Sequence, residues 1–159
     1  MRPKPYEILE IEILRLIGVV SGRLIDEALF IEEGSEEDMK RAILFKPELV
    51  ERKLEVIDVE KPVETGVIDI LARDSEGRIV VIELKKDTAG TEAVIQLKRY
   101  VEAIRRDFGE ARGILVAPGI SKKAYAALTG LGLEYVRLSV DKCLKVLEKY
   151  RKEGLTAFM

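Results

Sequence analysis

Ile114-Leu115-Val116-Ala117 runs apolar without a break and stops at Pro118, and this short run constrains the fold more than any other feature. It has the composition of a strand buried on both faces, and such strands belong to sheets covered by helices on either side. Residues 54–59, 66–72 and 78–85 also read as strands, the last built around Ile79-Val80-Val81-Ile82. Asp74-Ser75-Glu76-Gly77 makes the turn between the second and third of these. Three consecutive strands imply an antiparallel meander, and the strand-helix-strand order that follows implies parallel additions.

Helix signals fill the gaps. Ser35, with Asp38 three residues on, caps a helix that runs from Glu36 towards Phe45 and is interrupted by Pro47. After Thr91, the residues Val94, Leu97, Val101, Ile104 and Phe108 recur at helical spacing and form an expected core stripe. Ser121 caps a helix ending near Gly130, residues 133–138 make a further strand, and Asp141 is expected to cap a last helix that stops by Gly154. At the other end, Leu9-Glu10-Ile11-Glu12-Ile13 alternates with period two, and residues 23–31 would be its hairpin partner or a short helix. The expected architecture is α/β: a mixed central sheet with helices on both faces, plus an N-terminal β-hairpin appendage. Residues 1–33 form the hairpin, 34–152 the main domain and 153–159 a tail.

Composition removes several chemistries. The chain of 159 residues has no histidine, which excludes imidazole as base, nucleophile or metal ligand. It has no asparagine, and Gln96 is its only glutamine; scarcity of labile amides with abundant Lys, Arg and Glu suggests a thermophilic source. Cys143 is single, so no internal disulfide forms, and its place in the last helix implies a packed thiol. No apolar run approaches the ~18 residues of a membrane span and nothing resembles a secretory signal, so no membrane is expected and the cytoplasm is the default address. A net charge of −2 does not announce a nucleic-acid binder, so any such claim rests on local clusters.

Chemistry gathers in the third strand. Strands alternate faces, so Glu83 and Lys85 project from the same side, and the turn after residue 73 brings Asp69 towards them. An isolated Glu-x-Lys is commonly an ordinary solvated strand edge. Two converging carboxylates, however, repel unless a cation lies between them, and hard oxygen donors suit Mg²⁺ or Mn²⁺. Such a metal stabilises a phosphorane-like transition state and acidifies water, which a neighbouring ammonium can orient.

The pattern is longer than that trio. Gly66-Val-Ile-Asp69, Val80-Val-Ile-Glu83-Leu-Lys85, Ala93-Val-Ile-Gln96-Leu-Lys-Arg-Tyr100 and Arg112-Gly-Ile-Leu-Val-Ala-Pro118 follow one another in an order that resembles the PD-(D/E)XK nuclease superfamily, and more closely its RecB-like and NucS (EndoMS) branch. The resemblance covers about residues 34–139. It implies a restriction-endonuclease-like fold, with Asp69, Glu83 and the Leu84 carbonyl as metal ligands and Lys85 as the residue that positions water. Gln96 and Tyr100 would contact substrate, and an acidic residue on the first helix matches Glu36, with Glu37 as fallback. Ile68 stands where the superfamily name has proline. The family's N-terminal DNA-binding and dimerisation domain has only about 33 residues to match it here, so the chain is either a piece of a longer protein or a stand-alone relative.

The reading that follows is a divalent-metal-dependent endonuclease acting on mismatched, branched or single-stranded DNA in repair. A junction resolvase and a catalytically idle nucleic-acid-binding module on the same fold are the alternatives. Lys86, Lys98, Arg99, Arg105 and Arg106 could form a phosphate-binding strip. The segment of residues 9–31 is expected to support a homodimer. Leu155, Phe158 and Met159 form an apolar ridge similar to the peptide with which repair nucleases engage a sliding clamp (PCNA).

Overall fold

The computed structural model describes residues 35–157, the side chains of 155–157 excepted. The expected hairpin of residues 9–31 lies outside them, as do Phe158, Met159 and the side chain of Leu155. In chain order the elements are α1 (Glu36–Phe45), a 3-10 turn (Pro47–Leu49), β1 (Glu55–Val63), β2 (Gly66–Arg73), β3 (Ile79–Leu84), α2 (Thr91–Phe108), β4 (Ala111–Ala117), α3 (Lys122–Gly130), β5 (Glu134–Arg137) and α4 (Val140–Ala157). One sheet of five strands takes the order β1-β2-β3-β4-β5. The first two pairings are antiparallel and the last two parallel, as the meander and the later crossovers require. No described helix is long and apolar enough to cross a membrane.

Period two sorts the strand residues between two cores. Ile79 and Val81 pack with Val94, Leu97, Val101 and Ile104 of α2 and with Ala124 and Leu128 of α3. Val80, Ile82 and Leu84 pack on the other face with Met39, Ile43 and Cys143, which α1 and α4 supply. Phe45 and Tyr150 then stack at 5.1 Å between ring centroids and hold α1 to α4. Gly113 lets α2 lie close on β4, because a Cβ there would come within 2.6 Å of Val101 and 2.8 Å of Leu133.

Three expectations need correction. Phe108 is exposed: it is the last residue of α2, and the buried stripe ends one turn earlier at Ile104. Ser139, not Asp141, caps α4: its Oγ accepts from the Lys142 N–H at 3.2 Å, which leaves Asp141 in the first turn. The same helix does not stop by Gly154 but continues to Ala157. The other two caps stand as read: Ser35 closes a capping box with Asp38, its Oγ accepting from the Asp38 N–H, and Ser121 Oγ accepts from the Ala124 N–H. Cys143 is buried, and burial pushes its thiol up to about 11, which suits a packing role.

At the turn end of the sheet, Arg112 of β4 holds three carboxylates: Glu51 at 2.6 Å, Glu134 at 2.7 Å and Asp74 at 3.0 Å. Burial alone would raise the Asp74 carboxyl, but the Arg78 and Glu76 amides with Arg112 and Arg78 hold it down to about 2. Only the Asp74 arm is dry, at 2 % exposure, so it carries most of the interaction energy. Arg112→Ala is therefore expected to destabilise the domain by about 2 kcal/mol, a discounted value for one partly buried pair. Urea denaturation of the variant measures it, and an unchanged midpoint would show the network to be surface decoration.

Candidate active site

The β2–β3 ladder runs from Arg73–Ile79 to Ile70–Ile82 and ends there. The next inward amide of β3, Leu84 N–H, donates instead to the Asp69 carboxylate at 2.9 Å. On its other flank β3 stays paired with β4, and the Lys85 N–H donates to the Val116 carbonyl. The two strands thus part at the carboxyl end of β3, where open α/β sheets place their ligands. Asp69 and Glu83 line the parting.

Glu83 is 6 % exposed, and its Oε2 has no hydrogen-bond partner. Burial raises its carboxyl to about 8, helped by the negative charge of Asp69 and a hydrogen bond shared with it, against the pull of Lys85. Asp69 is raised too, by burial first, with the Leu84 amide and the Lys40 charge opposing. Lys85 lies just past β3, with Nζ 3.8 Å from Glu83 Oε1. The structure therefore brings the expected trio together.

Glu36 stands in the first turn of α1, and its Oε2 accepts from the Lys86 N–H at 3.1 Å, which ties α1 to the segment after Lys85. Gln96 and Tyr100 face the start of β2. A Cβ on Gly66 would come within 2.7 Å of Tyr100 Oη and 3.2 Å of Gln96 Nε2, and Gly66 itself has φ +148°, so glycine is needed there twice over. Lys86, Lys98, Arg99, Arg105 and Arg106 are all exposed. Lys98 pairs with Glu102 at 3.8 Å and Arg106 with Glu64 at 3.6 Å, while the Arg105 guanidinium donates twice to the Ala111 carbonyl.

Sequence reasoning missed two residues. A cleft of about 520 Å³ beside Asp69 is lined by Glu36, Glu37, Lys40, Glu60 and Val67. Lys40 is buried there, paired to Glu37 at 2.7 Å and to Glu60. Burial works against its charge, but those two carboxylates prevail and its ammonium is held firmly protonated. A lysine between Met39 and Ile43 in the inward face of α1 was the available signal; Glu60, joined to it across 20 residues of sequence, offered none.

Among the described residues, no three carboxylate or thiol side chains close a metal cage by themselves. The donor set is the buried Glu83 carboxylate, one oxygen of which is unsatisfied, beside the half-buried Asp69. Hard anionic oxygens of this kind fit a Mg²⁺- or Mn²⁺-sized cation completed by backbone oxygen and water.

A mixed sheet whose carboxylate pair and lysine meet where its antiparallel and parallel halves join defines a restriction-endonuclease-like α/β domain. Residues 35–154 match the model of the endonuclease NucS C-terminal domain, and the chain belongs to that family. It is 39% identical over 159 residues to endonuclease NucS of Pyrococcus abyssi, covering 99% of this chain and 62% of the relative. It is 41% identical over 143 residues to the Thermococcus kodakarensis protein, covering 89% and 57%. Among solved structures, an EndoMS–double-stranded DNA complex is similar with a TM-score of 0.65 and 44% identity, over 67% of this chain and 45% of that one. A repair endonuclease from Pyrococcus abyssi gives 0.64 and 40%, over 66% and 47%. The chain thus spans about half to three fifths of these relatives.

The electrostatics make a prediction about the metal-free protein. Glu83 ionises near 8 when folded and near 4.5 otherwise, so between those values the folded state holds a proton that the unfolded chain has lost. Stability in EDTA must fall as pH rises through that window. Glu83→Gln removes this penalty and is expected to melt several degrees above the parent at pH 8, the two converging near pH 4. Calorimetry at both pH values checks it; a variant melting below its parent at pH 8 would contradict the assigned repulsion.

Proposed function

We propose that this chain is a divalent-metal-dependent DNA endonuclease domain that hydrolyses phosphodiester bonds in repair. The observation that carries this reading is Glu83: a buried carboxyl with an unpartnered oxygen, set against Asp69 and followed by Lys85. No packing requirement calls for that trio, and the family relationship makes phosphodiester hydrolysis its natural use.

Asp69 and Glu83, with the Leu84 carbonyl, would hold Mg²⁺ or Mn²⁺. A cation bound there supplies Lewis acidity to the phosphoryl oxygens and lowers the pKa of a bound water. Lys85, whose ammonium already lies 3.8 Å from Glu83, orients the attacking water and takes up part of the charge that develops on phosphorus. Glu36 keeps the backbone after Lys85 in place through Lys86. Gln96 and Tyr100, packed over Gly66, present an amide and a phenol to the strand entering the site. Lys86, Lys98, Arg99 and Arg106 offer phosphates exposed cations along and beside α2. The named nucleases that the chain resembles, and the DNA present in the EndoMS complex, support DNA as substrate.

The test is cleavage of mismatched, flapped, single-stranded and four-way DNAs with Mg²⁺, with Mn²⁺ and with EDTA. Cutting is expected with either metal and none with EDTA. Asp69→Ala and Glu83→Ala should abolish it. Lys85→Ala should slow it roughly 10²- to 10⁴-fold, the range for a group that handles the nucleophile's proton. Parent-rate cutting by any of these variants would refute the assigned site, and preference for the four-way DNA would favour a resolvase.

A further inference from the structure

Few charged side chains are buried among the described residues, and Lys40 is one of them at 7 % exposure. Its neighbours on the inward face of α1 are Met39, Ala42 and Ile43, all fully buried, so an apolar residue would extend that face without a break. A buried ion pair stabilises a fold no better than apolar packing of the same size. Stability is thus a poor account of Lys40. Its surroundings give a better one. The ammonium meets Glu37 and Glu60 and lines the same cleft as Glu36 and Asp69, so a single fixed cation faces four carboxylates.

Glu60 adds a second, independent observation. It stands at φ +49° within β1, a left-handed conformation that is strained for a non-glycine residue. Its place in the ladder is opposite Asp69, between the pairs Val59–Ile70 and Lys61–Ile68. Strain held at that point, by an ion pair to a helix on the sheet's face, aims a carboxylate and an ammonium at the wall of the proposed metal site.

Resting on the metal-dependent reading above, we infer that Lys40 is a positioning residue: a built-in counter-cation that holds the acidic cleft together without metal and limits its affinity for divalent ions. In nucleases with two metal ions, a second divalent cation balances the carboxylates beside the first. Here the Lys40 ammonium would take that place among the carboxylates, beside a cation that Asp69 and Glu83 would hold. Weak binding follows, because a divalent ion arriving at Asp69 meets the repulsion of a unit positive charge that cannot diffuse away.

Calorimetric titration of Mn²⁺ alone into the parent chain, Lys40→Gln and Lys40→Arg, without DNA, tests this directly. Glu37 and Glu60 remain solvent-accessible after the substitution, so Lys40→Gln leaves no stranded buried charge, and thermal melting in EDTA verifies its fold. Lys40→Gln is expected to bind Mn²⁺ roughly tenfold more tightly, the effect of removing one unit charge from a divalent ion's surroundings. Lys40→Arg should keep the parent affinity. Equal affinities for the parent and a folded Lys40→Gln would overturn the role of Lys40 while leaving the nuclease reading intact. A parent chain that takes up no Mn²⁺ at millimolar concentration would overturn the metal-site reading itself, and this inference with it.

Discussion

A single hydrogen bond, from the Leu84 N–H to the Asp69 carboxylate, decides where the sheet stops being a scaffold and becomes a site. In an antiparallel ladder that amide faces a neighbouring carbonyl. Here a side chain takes it, so β2 and β3 separate one step beyond Ile70–Ile82 while β3 remains paired to β4. The backbone donor is satisfied and the gap is lined by two acids. An ordinary ladder at this point would have buried Glu83 against a strand, with no room for anything it could bind.

The two ends of the sheet show how differently one fold treats a buried carboxyl. Asp74 receives amide donors and two guanidinium groups, and it is held down at about 2. Glu83 receives one distant ammonium and a like charge, and it is pushed up to about 8. The first carboxylate is complete without help from outside the chain. The second is left in need of a cation, and carboxyls driven apart in this way separate structural from chemical roles. The clamp around Arg112 also fixes the β2–β3 turn, so the strands that diverge at the site are locked together at the far end.

The trio was legible because each part had a local signature. Glu83 and Lys85 lie two apart at the end of an apolar strand, and the turn at Asp74 folds Asp69 back beside them. The β3 and β4 runs announced helices on both faces by being apolar on both. Lys40 and Glu60 were not legible as a pair, because they are joined through tertiary packing of α1 on the strand meander and not by any spacing. Phe108 obeys the helical period but stands at the exposed end of α2, and periodicity does not report where the covered surface ends. Ser139 and Asp141 are both competent caps two residues apart; the choice of Ser139 depends on the direction in which β5 delivers the chain.

Charge layout divides the labour of the proposed nuclease. Five carboxylates at the cleft and site are opposed by Lys40 and Lys85, so the catalytic end is net acidic and unattractive to a polyanion. Attraction must come from α2 and Lys86. Lys98 and Arg106 sit in exposed ion pairs of the kind worth ~0–1 kcal/mol, which a phosphate can replace at little cost. Arg105 differs, because releasing it would strip two donors from the Ala111 carbonyl at the start of β4. Arg99 and Arg106, seven residues apart, fall on one stripe of the helix, nearly two turns along. In the proposed nuclease, grip and cut would therefore be separate surfaces, the exposed cations of α2 standing apart from the acidic site of Asp69 and Glu83.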